Sequence, residues 1–203
     1  MAEDANKEQL TGKAVLVGEM ATGKTSLILR LTQDSFSEEH ISTLVSSIND
    51  YKGEYENNPF RLLVWDTSGQ EKFRSLNQIF YRDAIIVILV YDITNKRTFE
   101  ELQTYWIGQI KETCPADTVL CIVGNKADLF QKEEVTEQQG REFAKKYDAI
   151  FGLTSCFNGE GVKELFDEAA GKAIERGLMG EYTGNGLKPE PDAPKKGCCS
   201  GGK

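Results

Sequence analysis

The sequence has little that could build a metal cluster of cysteine and histidine. It contains a single histidine, His40, and its five cysteines show neither the spacing of a zinc site nor that of a disulfide framework. A structural zinc ion needs four such ligands and a secreted disulfide scaffold needs regular pairs, so both classes are disfavoured. We expect reduced thiols and a cytosolic location.

Long hydrophobic runs and an excess of positive charge are also absent. The longest apolar stretch, 84–91, is far too short to cross a bilayer, and residues 1–11 are polar, without the apolar core of a signal peptide. The 24 basic side chains are outnumbered by 32 acidic ones, which gives a net charge of −8. Nucleic acid is therefore not an expected partner, and an anionic ligand would need a local site.

Proline is scarce too, and its distribution separates two parts of the chain. Three of the five prolines fall within 178–203, a stretch that is rich in glycine and nearly free of large apolar residues. Such a composition cannot bury enough surface to order itself. We expect a flexible N-terminus at 1–11, one folded domain at 12–177 and a disordered C-terminal tether at 178–203.

The folded part shows short β-rich runs that alternate with longer amphipathic stretches. This alternation predicts an α/β domain with a mostly parallel sheet. The turn 56–59 leaves no room for a crossover helix between 48–55 and the strand 60–65, so these two strands should pair antiparallel at one edge. The other predicted strands are 13–17, 84–91, 118–124 and 149–154.

The segment after the first predicted strand fits a phosphate-binding loop. It has the pattern Gly-x-x-x-x-Gly-Lys-Thr between a strand and an apolar helix. In that context the backbone N–H groups surround phosphates, the lysine contacts their outer oxygens and the threonine hydroxyl binds Mg²⁺. A chance glycine turn is the alternative. The candidate nucleotide-binding residues are Gly18, Glu19, Met20, Ala21, Thr22, Gly23, Lys24, Thr25 and Ser26.

A second candidate element follows the strand 60–65. Asp66 stands where a carboxylate at the C-terminal edge of the sheet could hold Mg²⁺ through water. Gly69 could turn its N–H towards a γ-phosphate, and Gln70 could orient an attacking water. Gln70 and Lys24 are therefore the candidate catalytic residues. Taken alone, an aspartate after a strand is often just a helix cap.

A third candidate element, 122–129, again joins a strand to a polar turn. Asp128 offers two acceptor oxygens to the N1–H and the exocyclic amine of guanine, which adenine cannot match. Asn125 could tether the loop, and the stem of Lys126 could cover the base. Alone, this stretch would more often be an ordinary loop. Three such elements in this order, each at a strand end, indicate a guanine-nucleotide site.

Over about residues 12–176 the sequence resembles the Ras-superfamily small GTPases, and most of all the Rab family. Besides the three motifs, 72–84 and 89–95 are similar to stretches that mark Rabs, and the Cys198-Cys199 tail is similar to their lipid-anchoring end. The resemblance implies a P-loop GTPase domain with a six-stranded sheet, helices on both faces and two switch segments. It also implies GTP or GDP and Mg²⁺ as ligands.

The same resemblance implies a molecular switch in vesicular traffic that hydrolyses GTP to GDP and phosphate. Its partners would be guanine nucleotide exchange factors, GTPase-activating proteins, effectors, and prenylation escort and membrane-extraction proteins. The implied state is a monomer, cytoplasmic and peripheral on the cytosolic face of an endomembrane. Prenyl groups at the C-terminus would hold it there.

By position, the resemblance adds further candidate site residues. Phe36 would pack against the guanine, and Thr43 would bind Mg²⁺ in the GTP state. Ser155 and Cys156 would lie beside the base. Without the family, Thr43 would be interpreted as a solvated loop residue.

At several positions the chain departs from the Rab pattern. Phe157 stands where a lysine usually helps to cover the base, although an aromatic ring could stack there instead. His40 stands where a switch tyrosine or phenylalanine is common. Its imidazole could titrate or contact the γ-phosphate, or it could be exposed and inert. The effector-facing aromatic trio becomes Ile48, Trp65 and Phe80, so the identity of the partners stays open.

The C-terminal cysteines do not form a C-a-a-X box, because four residues follow Cys199. Two prenyl groups, on Cys198 and Cys199, would anchor the chain stably where one would be marginal. The alternative is an exposed free-thiol tail. The tail carries little net positive charge, so lipid would have to supply most of the membrane binding.

Met20 is a bulky residue in a loop that is usually built from small ones. The resemblance places it next to the γ-phosphate, where it could crowd Gln70 or an incoming arginine and slow hydrolysis. The motifs contain no obvious internal arginine finger, so hydrolysis should be slow without a partner. A GTP-binding adaptor with little or no hydrolysis is the alternative function. An ATP-using kinase is disfavoured by the guanine-type loop and the lack of a lid insertion.

Overall fold

The computed structural model describes residues 9–37, 47–67 and 80–180, together with the backbone of 182–183 and 186–187. Within these residues one sheet is built from β1 (Leu10–Val17), β2 (Ser47–Tyr55), β3 (Asn58–Asp66), β4 (Ile86–Asp92), β5 (Val119–Asn125) and β6 (Ile150–Thr154). Its strand order is β2-β3-β1-β4-β5-β6. β2 runs antiparallel to β3, and all other neighbours are parallel. The predicted six-stranded, mostly parallel sheet is confirmed.

The antiparallel edge closes through a tighter turn than the sequence suggested. Tyr55 pairs directly with Asn58, so Glu56 and Asn57 alone form the turn, with φ values of 47° and 61°. Two positive φ angles are typical of a type I′ turn, whose twist matches that of the flanking strands. Pro59, which the prediction placed in the turn, therefore lies inside β3.

Helices cover both faces of the sheet, as predicted. They are α1 (Lys24–Gln33), α2 (Lys96–Glu101), α3 (Ile107–Thr113), α4 (Glu137–Lys146) and α5 (Val162–Glu175). A π-helical segment, Leu102–Trp106, joins α2 to α3, and a 3₁₀ turn covers Ala127–Lys132. None of the helices in the described ranges has the length and apolarity needed to cross a membrane.

The buried side chains form two apolar layers, one on each side of the sheet. Successive residues of β1 show this division, since Leu16 belongs to the layer that includes residues of α1 and α5, while Val17 belongs to the layer that includes residues of α2, α3 and α4. Strands covered on both faces read as continuous apolar runs, and every residue of β4 is buried. The loops that follow these strands therefore extend from a sheet whose two faces are both covered.

The folded domain extends past the predicted end at residue 177. Met179 is buried in the core, and Gly180 exchanges two backbone hydrogen bonds with Thr11, at 2.8 and 3.2 Å. The N-terminal boundary moves as well, because Leu10 and Thr11 belong to β1. An apolar side chain and a paired backbone order these residues despite the composition of the tail.

Beyond Gly180 the backbone forms two short strands, β7 (Tyr182–Thr183) and β8 (Gly186–Leu187), which pair antiparallel. This local pairing falls in the region predicted to be a disordered tether. For the remaining residues of 178–203, which lie outside the described chain, the tether stays a prediction.

Candidate guanine-nucleotide site

The loop after β1 requires glycine at two positions. Gly18 has φ +138°, and a Cβ built on it would lie 2.2 Å from the Val90 carbonyl oxygen. Gly23 has φ +91°, and a Cβ there would lie 2.3 Å from Nδ2 of Asn125. Side chains are excluded at both points by backbone conformation and by space. The loop therefore presents bare backbone at the N-terminus of α1, the arrangement that suits phosphate.

Lys24 is a buried cation whose ammonium group is hydrogen-bonded to the backbone of this loop. Its ammonium donates to the backbone oxygens of Gly18 and Glu19, at 2.9 and 2.8 Å, and the side chain is only 6% exposed. Burial lowers the pKa of Lys24 to about 8, while the charges of Asp66 and Glu19 act in the opposite direction. A buried lysine whose charge is disfavoured is well suited to an incoming anion.

Thr25 and Asp66 bring a hydroxyl and a carboxylate together beside the loop. Thr25 Oγ1 donates to Asp66 Oδ2 at 2.7 Å, and Asp66 is buried at the end of β3. Mg²⁺ prefers oxygen ligands and usually takes only one or two from protein, with phosphate oxygens and water completing the octahedron. The donor set of these two residues fits that cation.

Asn125 connects the loop after β5 to the loop after β1 (residues 18–23), which is called the phosphate-type loop below. Its Nδ2 donates to the Thr22 carbonyl oxygen at 2.8 Å, and its Oδ1 accepts from Thr154 Oγ1 at 3.1 Å. The Cys156 thiol lies 3.5 Å from the same Oδ1, and burial raises the pKa of that thiol to about 11, which keeps its donor proton in place. Two loops far apart in sequence are thereby joined into one cleft.

Asp128 and Lys126 are each oriented by a second residue. Ser155 Oγ donates to Asp128 Oδ1 at 2.6 Å. Lys126 has a left-handed backbone, with φ 67°, and its ammonium pairs with Asp92 Oδ2 at 2.6 Å. The lysine head is thus fixed to the end of β4 while its stem borders the cleft.

A cavity of about 260 Å³ opens between these loops. Its described lining consists of Gly23, Ser26, Phe36, Asn125, Lys126, Asp128, Leu129, Cys156 and Phe157. Phe36 and Phe157 meet edge to face at its mouth, with ring centroids 5.8 Å apart. Phe157 remains 60% exposed, so much of its ring is accessible to a planar ligand.

Glu19 and Met20 have different surroundings in the loop, because Glu19 is hydrogen-bonded and Met20 is exposed. Glu19 Oε1 accepts a hydrogen bond of 3.1 Å from Nε1 of Trp106, a fully buried residue at the end of the π-helical segment. Met20 is 53% exposed. π-Helical segments are common at functional sites, and this one carries the indole that holds the loop.

Several predicted residues lie outside the described chain. They are His40, Thr43, Gly69, Gln70, Cys198 and Cys199. The structure brings the described candidates together at one edge of the sheet. β1, β3, β5 and β6 run parallel, so their C-terminal ends meet at that edge. Four further residues touch the candidate loops but were not predicted from the sequence. They are Arg30, Asp92, Trp106 and Thr154.

The fold and its loops define the class of P-loop nucleotide-binding domains. Among known protein families, the sequence model of the Ras family matches residues 13–175 of the chain. The chain therefore belongs to the Ras family and is a small GTPase.

Its relatives include Rab proteins over nearly the whole length. The chain is 35% identical to human Ras-related protein Rab-22A over 189 residues, which covers 92% of this chain and 97% of that protein. It is 36% identical to mouse Ras-related protein Rab-21 over 205 residues, with 94% and 92% covered. Both similarities span the described domain rather than a single motif.

Proposed function

We propose that the chain is a Rab-like switch in vesicular membrane traffic, which binds GTP and GDP in the cleft described above and hydrolyses GTP slowly. The main support for the nucleotide site is the hydrogen bond from Asn125 to the Thr22 carbonyl oxygen. This bond joins the loop after β5, which would bind the base, to the phosphate-type loop, so that one cleft can hold both ends of a nucleotide. The role in traffic rests on the similarity to Rab proteins.

In this proposal each described residue has a chemical role. Asp128, held by Ser155, accepts from the N1–H and the exocyclic amine of guanine. The backbone N–H groups of the loop and the N-terminus of α1 bind the phosphates, and Lys24 exchanges its carbonyl partners for phosphate oxygens. Phe36 and Phe157 cover the base from the mouth of the cavity.

We propose that Thr25 and Asp66 hold Mg²⁺, with Thr43 as a further ligand in the GTP state. Once bound, Mg²⁺ would supply charge neutralisation at the phosphates. Thr25 would bind directly, and Asp66 would orient a coordinating water while it accepts from the Thr25 hydroxyl. The carboxylate thereby fixes the direction of the threonine lone pairs.

Replacing Asp66 with asparagine is expected to raise the Mg²⁺ concentration needed to retain GDP by about tenfold or more, because a neutral amide is a weaker partner of the cation. The rate of GDP release, measured across a Mg²⁺ titration, gives the midpoint. Asp50→Asn is the matched control, since Asp50 is an exposed partner of Arg61 on β2. Equal midpoints for Asp66→Asn and wild type would contradict the assignment.

Met20 favours a second candidate, a GTP-binding adaptor with little turnover. Its side chain is exposed in the loop that would face the γ-phosphate. We expect Met20→Gly to accelerate single-turnover hydrolysis roughly threefold, and Gln70→Leu to slow it about tenfold, because the glutamine would orient the water. The measurement is phosphate release from protein loaded with GTP and Mg²⁺.

Met20→Leu, which keeps the bulk, is the control and should hydrolyse GTP at the wild-type rate. A Met20→Gly rate equal to that of wild type would remove the crowding hypothesis. Turnover that appears only in Met20→Gly would establish the adaptor instead. Hydrolysis unaffected by Gln70→Leu would show that another group positions the water.

We also propose an effector surface and a lipid anchor. Ile48 is 55% exposed and pairs across the hairpin with Trp65, whose ring lies 6.0 Å from that of Phe80. This apolar patch would contact effectors, with exchange factors and activating proteins as the other partners. Double prenylation of Cys198 and Cys199 would attach the protein to the cytosolic face of an endomembrane.

A further inference from the structure

Arg30 extends its guanidinium group from α1 to three carbonyl oxygens. Nε donates to the Cys156 oxygen at 2.8 Å, and Nη2 donates to the Phe157 oxygen at 3.0 Å. Nη1 donates to the backbone oxygen of Asp34 at 3.1 Å and to its carboxylate at 2.8 Å. The side chain is only 15% exposed. A planar fork with several fixed donors is needed to satisfy these acceptors together.

The acceptors belong to the two segments that form the mouth of the cavity. One is the loop after β6, which carries Cys156 and Phe157. The other is the end of α1, where Asp34 adopts a left-handed conformation with φ 47° and leads to Phe36. Because the guanidinium holds both segments, it fixes the separation at which the two rings meet edge to face.

We propose that Arg30 is a positioning residue that sets how long guanine nucleotide stays bound. This inference rests on the proposed nucleotide site. Arg30 acts from outside the described cavity lining, by holding Phe36 and Phe157 in the arrangement that covers the base. When the guanidinium hydrogen bonds to these two segments are lost, the mouth of the cavity opens more often and the nucleotide leaves faster.

The direct test is the release rate of a fluorescent GDP analogue from full-length protein in Mg²⁺. Arg30→Lys keeps the charge but loses the fork, so we expect release to accelerate about tenfold. Arg141→Lys is the matched control, because Arg141 forms an exposed ion pair with Glu137 within α4. Wild-type release from Arg30→Lys would overturn the inference, as would equal acceleration in the control.

A second measurement separates positioning from a general loss of stability. In a Phe157→Ala background the aromatic pair is already broken, so Arg30→Lys should change the release rate less than about twofold. A merely structural arginine would accelerate release by the same factor in both backgrounds, and that outcome would overturn the inference.

The inference and the proposed function fail in different ways. A wild-type protein that does not retain the GDP analogue would remove the proposed nucleotide site. A wild-type protein that retains it, together with variants that release it at unchanged rates, would remove only the role of Arg30. Faster release in Arg30→Lys, with the expected loss of effect in Phe157→Ala, would support both.

Discussion

Changing Asp128 to asparagine is expected to make the protein prefer xanthine nucleotides to guanine nucleotides. Guanine presents two donors, its N1–H and its exocyclic amine, whereas xanthine presents an N1–H and a carbonyl oxygen. An aspartate accepts from both guanine donors, and an asparagine offers one acceptor and one donor. Sites built around hydrogen bonds strongly reject a ligand that leaves their buried polar groups unpaired.

Ser155 should decide which way the new amide faces. In the wild type its hydroxyl donates to Asp128 Oδ1. In Asp128→Asn the same hydroxyl can donate only to the amide oxygen, which turns the NH₂ group towards the ligand. The NH₂ group would then meet the carbonyl of xanthine, while the N1–H still has the amide oxygen within reach.

We expect the ratio of GDP to XDP affinity to fall by about 1,000-fold in Asp128→Asn, as judged from the discrimination that hydrogen-bonding sites achieve. Competition of each diphosphate against a fluorescent nucleotide measures that ratio. Asp117→Asn, which changes a carboxylate on the loop before β5, serves as the control and should leave the ratio unchanged. A ratio in Asp128→Asn that matches wild type would show that the base is recognised elsewhere.

The second large effect is expected from Lys24→Met, which removes the buried ammonium but keeps a long side chain. Charge-assisted hydrogen bonds to phosphate in a buried site are strong, so GDP affinity should fall by about 1,000-fold. Without ligand the same change should raise the melting temperature, because the buried charge is unfavourable in the empty loop.

The pH dependence tests this assignment independently. The pKa of Lys24 is lowered from 10.5 to about 8 in the ligand-free site, and bound phosphate would raise it again. Below pH 8 the lysine is charged with or without ligand, so affinity does not depend on its protonation. Above pH 8 the free protein must take up a proton on binding, and affinity should fall by up to about tenfold per pH unit.

The sign for stability is opposite to that for binding. The unfolded chain, with its higher lysine pKa, binds more protons than the folded one between pH 8 and 10.5. The stability of the nucleotide-free protein should therefore rise through that window. Lys24→Met should lose both pH effects, whereas Lys145→Met, on the exposed side of α4, should keep them. Alkaline loss of affinity that survives in Lys24→Met would assign it to another group.

The sequence indicated where the candidate residues at strand ends would lie relative to one another. Asp66 and Asn125 each stand at the end of a β-rich run, and parallel strands bring their C-terminal ends to one edge of the sheet, whereas Ser155 was suggested only by the resemblance to Rab proteins. Likewise, the glycine pattern of the first loop specifies a backbone path that few other residues permit. These features are local, so one sequence suffices to find them.

The parts that escaped prediction depend on contacts between distant segments. Arg30 reaches the loop around Cys156 only because α1 and α5 pack on the same face of the sheet, and no local pattern marks it. Trp106 reaches the loop after β1 because a π-helical segment sets the position of its ring. Met179 was assigned to the tether because average composition conceals one buried side chain.

The placement of the two tryptophans gives the protein its own optical probes. Trp106 is fully buried and donates to the carboxylate of Glu19, so its emission should respond to rearrangement of the phosphate-type loop. Trp65 lies in the patch next to Phe80 with the Lys13 ammonium 4.7 Å above its ring, and it is partly accessible to a soluble quencher. Single-tryptophan versions would therefore follow nucleotide exchange and partner docking separately, without any attached dye.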